Sequence, residues 1–253
     1  ASNNYLTITQ STGQVNILKT LRLENTTSST IGVMFKGADR FLHNYGTYNT
    51  FLGVNSGNFN MTGSGNLGIG FYSLNTNTTG LSNTAVGNYS LYSNSTGYNN
   101  LAIGYYSLYY NSSGYYNTAS GFRTLYVNTT GSKNTALGYQ SLFYNISGIN
   151  NTAVGFESLV NNTGNYNTAL GYNAGSTITT GANLTCIGID AAPSSGTAID
   201  QVTLGNGFVQ FLRCNVQTIS SLSDMRDKKN ITDLTLGLDF LMKVKPRQFN
   251  WDK

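Results

Sequence analysis

Glycine returns on a fixed beat through most of this chain. It follows a short apolar pair at Gly53, Gly70, Gly87, Gly104, Gly121, Gly138, Gly155, Gly171, Gly188 and Gly205. Every interval is 17 residues except one of 16. A second series, Gly46, Gly63, Gly80, Gly97, Gly114, Gly131, Gly148, Gly164 and Gly181, keeps the same beat and the same single deletion. Self-similarity at such a period is the mark of stacked repeats, each unable to bury an apolar face alone. Residues 131–147, GSKNTALGYQSLFYNIS, show the unit.

Within it, Leu137 and Leu142 are the expected apolar anchors, with Ala136 and Ser141 as their small neighbours. Asn134, Asn145 and the glycines are expected to mark turns, because Gly and Asn tolerate left-handed backbone. Two glycines per unit, among Thr, Ser and Asn, oppose helix. Strands of about three to five residues between tight turns fit better. The expected fold is therefore all-β: a repetitive parallel β-solenoid or β-roll shaft of about ten 17-residue repeats over residues 46–211. At roughly 4.8 Å per coil it forms a rod on the order of 50 Å long. Residues 1–45 read as an N-terminal β cap or linker, with Leu21, Leu23, Ile31, Val33 and Phe35 alternating as in half-buried strands. The lone histidine, His43, reads as structural or exposed.

Two apolar anchors per unit make a thin core, so the outward aromatics, Tyr139 and Phe156 among them, are expected to pack against partner chains in a homotrimer. The aromatic theme at Tyr89, Tyr105, Tyr106, Tyr139, Phe156 and Tyr172 also marks a possible ligand surface, because ring faces and hydroxyls suit sugar contact. Charged residues are only 9% of the chain, against roughly 25% in ordinary domains. No basic stripe with interleaved aromatics occurs, which argues against nucleic-acid binding. No apolar run approaches the roughly 20 residues of a membrane-spanning helix, so no insertion is expected. Cys186 takes the place of a repeat Ala and reads as a small buried thiol; no metal motif and no cofactor is expected. Between residues 40 and 189 the only acid is Glu157, a poor basis for the two carboxylates of a glycan-cleaving spike. The Thr clusters fall in turns, not on one flat ladder as ice or mineral binding would want. Sequons at Asn77, Asn94, Asn111, Asn128 and Asn145 recur at the repeat spacing, so one turn motif accounts for all of them.

After a linker at 212–223 the composition changes, and seven of the fourteen basic residues lie in the last 30 positions. Leu234, Leu238, Leu241 and Met242 form a short helical face that Pro246 stops. The string Ser223-Asp224-Met225-Arg226-Asp227-Lys228-Lys229-Asn230-Ile231 resembles the opening of the endosialidase-type intramolecular chaperone domain, which residues 224–253 would begin. That family caps phage tail spikes, tail fibres and related trimeric surface proteins, assists their assembly and cuts itself away. The resemblance implies Ser223 as nucleophile, Lys228 as its base, cleavage of Ser223–Asp224, and Arg226 and Asn230 holding the junction. A lysine of lowered pKa is the kind of base a serine hydroxyl needs. More loosely, the x-A-[VLI]-G repeats resemble the β-roll heads of trimeric autotransporter adhesins. Together these imply a virion fibre or cell-surface adhesin, with other fibre or virion proteins and a host receptor, glycan among the candidates, as partners. Near-identical units specify chain register weakly, and the single 16-residue unit is expected to penalise slippage.

Overall fold

A computed structural model describes residues 25–29 and 31–210. The expected C-terminal helix and the Ser223–Asn230 string lie outside them. Twelve strands form one sheet in strict chain order. β1 (Met34–Lys36) and β2 (Asp39–His43) pair antiparallel, and β2 pairs antiparallel with β3 (Thr50–Leu52). From β3 onward every pairing is parallel, through β4 (Leu67–Ile69), β5 (Thr84–Val86), β6 (Leu101–Ile103), β7 (Thr118–Ser120), β8 (Thr135–Leu137), β9 (Thr152–Val154), β10 (Thr168–Leu170), β11 (Ala182–Ile187) and β12 (Ile199–Leu204). One short strand per coil, always paired with the equivalent strand of the next, makes a parallel β-solenoid. The expected all-β repeat fold is what forms.

Backbone hydrogen bonds link the coils outside the strands as well. In the coil of β8, Gly138 N–H donates back to Ser120 (2.9 Å) and Gln140 to Phe122 (3.0 Å), while Leu142 donates forward to Ser158 (3.0 Å). The bends between these bonds come from an uncommon source. Leu74, Leu91, Leu108, Leu125, Leu142 and Leu159 all hold positive φ, between 48° and 52°, and all are fully buried. Left-handed backbone costs a leucine roughly 1–2 kcal/mol. Complete burial of its side chain contributes about 2–3 kcal/mol and offsets this. Gly138, at φ 126°, occupies a region closed to side chains, and a Cβ there would run into Gly155 of the next coil.

The core corrects the reading of the anchors. In β5, β8, β9 and β10 Thr and Val or Leu point out and the alanine points in. Ala85, Ala102, Ala119, Ala136, Ala153 and Ala169 are fully buried, and Cys186 continues their column as a buried free thiol. Burial pushes that thiol's pKa up. Leu142 is an inner anchor as expected, but Leu137 is 37% exposed. The interior beside each strand is a column of Cβ groups.

The asparagines are corrected too. Asn134 and Asn145 do not adopt positive φ; they are buried and act through their amides. Asn66, Asn83, Asn100, Asn117 and Asn134 form one such column. Asn117 Nδ2 donates to Asn100 Oδ1 (3.2 Å) and to the Gly131 carbonyl (2.8 Å). Its own Oδ1 accepts from the backbone N–H (3.0 Å) and Nδ2 (3.1 Å) of Asn134. Each amide thus joins three coils. A second column runs from Asn77 to Asn145, in which Asn111 Nδ2 donates to Asn94 Oδ1 (2.8 Å) and the Gly114 carbonyl (3.0 Å). The short unit interrupts this column and reroutes the first, where Asn151 Nδ2 donates across to Asn145 Oδ1 (3.3 Å) while its backbone N–H still donates to Asn134 Oδ1 (3.0 Å). Asn162 Oδ1 accepts from Asn167 instead (2.8 Å), and Ile178 is the buried residue at the next place.

At the N-terminal end the expected alternation fails over Met34–Lys36, which are exposed throughout. His43 instead closes the first coil. Its Nε2–H donates to the Ser56 carbonyl (2.8 Å), its Nδ1 accepts from Tyr45 N–H (3.3 Å), and its ring lies between Phe51 and Phe59 (4.8 and 4.9 Å). Only the neutral ring satisfies both bonds. Its pKa is pushed down to about 4, chiefly by burial, with the Ser56 carbonyl opposing and the Arg40 charge adding to the fall.

Two outcomes are expected. Asn117→Asp lowers stability by more than about 3 kcal/mol at pH 7, because a carboxylate has no N–H for Gly131 or Asn100; urea unfolding, compared with Asn117→Ala, measures it. For His43, the unfolded ring takes up a proton before the folded one as pH falls. Its contribution is therefore complete above pH 6.5 and is lost between there and about 4, up to roughly 3 kcal/mol. Unfolding followed against pH reads this, and His43→Gln should flatten that part of the profile.

Candidate functional site

Because every coil repeats the last, each outward position becomes a column running along the solenoid. Three of these stack three or more aromatic rings, and a shorter one pairs Tyr98 with Tyr115 at 5.0 Å. Tyr105, Phe122, Tyr139, Phe156 and Tyr172 stack with centroid separations of 5.7, 5.3, 4.8 and 5.2 Å. All five are 37–50% exposed. One residue further along the coil, Tyr72, Tyr89 and Tyr106 stack at 5.7 and 5.1 Å. Tyr92, Tyr109, Tyr126 and Phe143 form the third column at 5.1, 5.4 and 5.1 Å. The six aromatics singled out in the sequence thus fall into two adjacent columns. Tyr139, Phe156 and Tyr172 share one with Tyr105, whose ring meets Tyr106 edge-on at 4.2 Å in the column of Tyr89.

Composition by itself did not separate these columns, and it missed the third. The signal was present: Tyr92, Tyr109, Tyr126 and Phe143 stand 17 residues apart.

The column of Tyr89 and Tyr106 changes character downstream, to Arg123, Gln140, Glu157, Asn173 and Asp190, all at positive φ. Arg123 lies over Phe122 (5.3 Å), Tyr126 (5.5 Å) and Tyr106 (5.8 Å). Its Nε is buried without a hydrogen-bond acceptor among the described residues. The phenols around it resist ionisation. The hydrogen bond with Tyr105, then burial and neighbouring rings, push Tyr106 up to about 12. Burial first, then Tyr110 and Tyr92, raises Tyr109. Burial and Tyr110 raise Tyr126, against the pull of Arg123. Glu157 has Gln140 and Asn173 as column neighbours, so no second carboxylate stands beside it.

A different surface lies on the outer face of the strands. Leu52, Ile103, Leu137, Leu170, Ile187 and Leu204 are 37–50% exposed, with Val86 and Val154 in the same column. This column runs from β3 to β12, aliphatic except at Ser120 in β7, and is bordered by the Tyr105–Tyr172 column.

The five turn sequons are not surface features. Asn77, Asn94, Asn111, Asn128 and Asn145 are fully buried, and Nδ2 of Asn94, Asn111, Asn128 and Asn145 is engaged by two acceptors. Ser223, Asp224, Arg226, Lys228 and Asn230 lie outside the described residues. Among the described residues no group of three His, Cys, Asp or Glu side chains is placed to hold a metal, and no helix is long and apolar enough to cross a membrane. No protein-family model matches the chain, and neither does a curated protein or a solved structure.

Burial of the sequon amides has a direct consequence. Made in a secretory pathway that glycosylates nascent chains, the folded protein should carry no glycan at these five asparagines, because modified chains cannot close the column. Peptide mass mapping of the folded and aggregated fractions checks this; glycans at Asn94 or Asn111 in folded protein would contradict it.

Proposed function

We propose that the chain is the structural shaft of a trimeric fibre or surface adhesin, on a virion or a cell surface, that presents an attachment surface to a host. The observation that carries this is the aliphatic column on the strand face, which only Ser120 interrupts between β3 and β12. About a dozen large apolar side chains in it and the bordering aromatic column keep roughly 80 Å² of exposure apiece, on the order of 1,000 Å² per chain, enough for a stable interface. Identical copies share the coil spacing, so apolar residues meet apolar residues along the face on either side of Ser120. The preference for three copies comes from the likeness of Ser223–Ile231 to the chaperone that caps trimeric fibres. In that reading residues 224–253 guide assembly, and Ser223 with Lys228 cuts Ser223–Asp224 once per chain, with no substrate turned over. Arg226 and Asn230 steady that junction.

A second reading has its own support. The inner Leu and Ala columns are fully buried within a single chain, so a lone solenoid closes its core and can serve as a monomeric binding module.

Light scattering separates the two. A mass near three times 27.3 kDa is expected, falling to a single chain when Leu137 and Leu170 are both changed to Asp, with β-sheet circular dichroism retained. A wild-type monomer would leave only the solenoid module. Mass spectrometry of the same denatured sample reads whether Ser223–Asp224 is intact.

A further inference from the structure

Exact repetition is the rule along this solenoid, so a local departure from it on one face calls for a cause. The aliphatic strand column, Ser120 apart, and the Tyr105–Tyr172 column run through coil after coil, as an interface between identical shafts requires. The other tyrosines do not. Most of them crowd into the coils of residues 89–144, and their columns give way to Val160, Asn161 and Asn173 further on. Stacking between coils does not explain the crowding, since the later coils stack without it. At its centre sits Arg123. The nearest acid in its column is Glu157, two coils or roughly 10 Å away, beyond Gln140.

We infer that the tyrosine cluster around Arg123 (Tyr106, Tyr109, Tyr110, Phe122 and Tyr126) is a binding site for a sugar chain bearing carboxylates. It rests on the reading of the shaft as an attachment surface, though not on its being a trimer. Tyr110 is 45% exposed, Phe122 37%, and Tyr106, Tyr109 and Tyr126 are half-buried. Ring faces offer apolar area to the C–H face of a pyranose, and the phenols supply donors and acceptors at its rim. Successive rings step by 5.1–5.4 Å, close to the length of one sugar unit, so an extended chain can lie along the columns. The phenols of Tyr106, Tyr109 and Tyr126, whose pKa values are raised, stay neutral at physiological pH, and the guanidinium is the charge at the centre. Held by ring faces and without an ion-pair partner among the described residues, it is free to take a carboxylate through charge-assisted hydrogen bonds.

The test is calorimetry with the whole chain, using oligogalacturonate and α2,8-linked oligosialate as acidic probes. Dextran, dextran sulfate and poly-glutamate serve as comparisons. Arg123→Gln is a safe substitution because Gln140 holds the same coil position at φ 50°; Tyr109→Phe removes one hydroxyl and keeps the ring. Binding of at least one acidic sugar, absent for dextran and weakened about tenfold or more by Arg123→Gln, is the expected result. No binding of either acidic sugar, equal binding of dextran, or indifference to Arg123→Gln overturns the site. Dextran sulfate or poly-glutamate binding as tightly as the acidic sugars overturns the carboxylate-sugar assignment in favour of plain anion attraction. Light scattering on the same samples reports assembly independently, so a monomer that binds would sink the fibre and leave this site standing.

Discussion

The buried amide columns are the constraint on which the rest of the solenoid depends. A 17-residue coil with one Leu and one Ala inside cannot be held by apolar burial alone. The remaining interior is Asn and Ser, and polar groups there are tolerable only when every donor and acceptor is met. Asn117 shows how this is achieved: its carboxamide links the coils of Asn100 and Asn134 and ties down the Gly131 carbonyl. The geometry works only if successive coils are in register and nearly identical, which is why the sequence repeats so strictly at these positions. It also explains the second glycine series, since a Cβ at Gly131 would collide with the Asn128 amide and the next coil's backbone.

From that constraint the outer surface follows. With coils locked at a strand spacing, every outward side chain becomes one member of a column. Chemistry on the surface is then written in columns, not in pockets: aliphatic on the strand face, aromatic beside it, and tyrosine with one arginine in the middle coils. Such a surface suits extended partners, another shaft or a polymer, better than it suits a small substrate needing enclosure. The same logic leaves Glu157 between amide neighbours, without the partner carboxylate that glycoside hydrolysis uses.

Much of this was legible in the residues. The glycine beat gave the coil, Thr-Ala-Val gave the strand, and Cys186 in an alanine place announced itself as a buried thiol. Two things were hidden for physical reasons. Hydrophobicity ranks Leu137 above Ala136, yet from β5 to β10 the space behind the strand is filled by an alanine methyl, so the smaller residue goes in. Asparagine beside glycine reads as a turn, because a side-chain ladder needs three coils in register before any one amide is satisfied, and no single repeat displays that. Left-handed leucine was hidden for a similar reason: its backbone penalty is visible locally, while the burial that offsets it belongs to the stack.

The single 16-residue unit shows how the stack accommodates a defect. The lost residue falls in the turn before Gly164, and the strand register across it is unbroken, with Thr152, Ala153 and Val154 opposite Thr168, Ala169 and Leu170. The second amide column is interrupted, passing from Asn145 through a rerouted Asn162 to Ile178. In the first, the side-chain amides turn across to the second, Asn151 Nδ2 to Asn145 Oδ1 and Asn167 Nδ2 to Asn162 Oδ1, while the backbone bonds carry on, Asn167 N–H donating to Asn151 Oδ1 at 2.9 Å. Those backbone-to-amide bonds are therefore sufficient to hold register across the defect. A deletion that struck the Asn117–Asn151 column would remove amide and strand alignment together, so the turn before Gly164 is the part of the coil where length can vary without breaking the shaft.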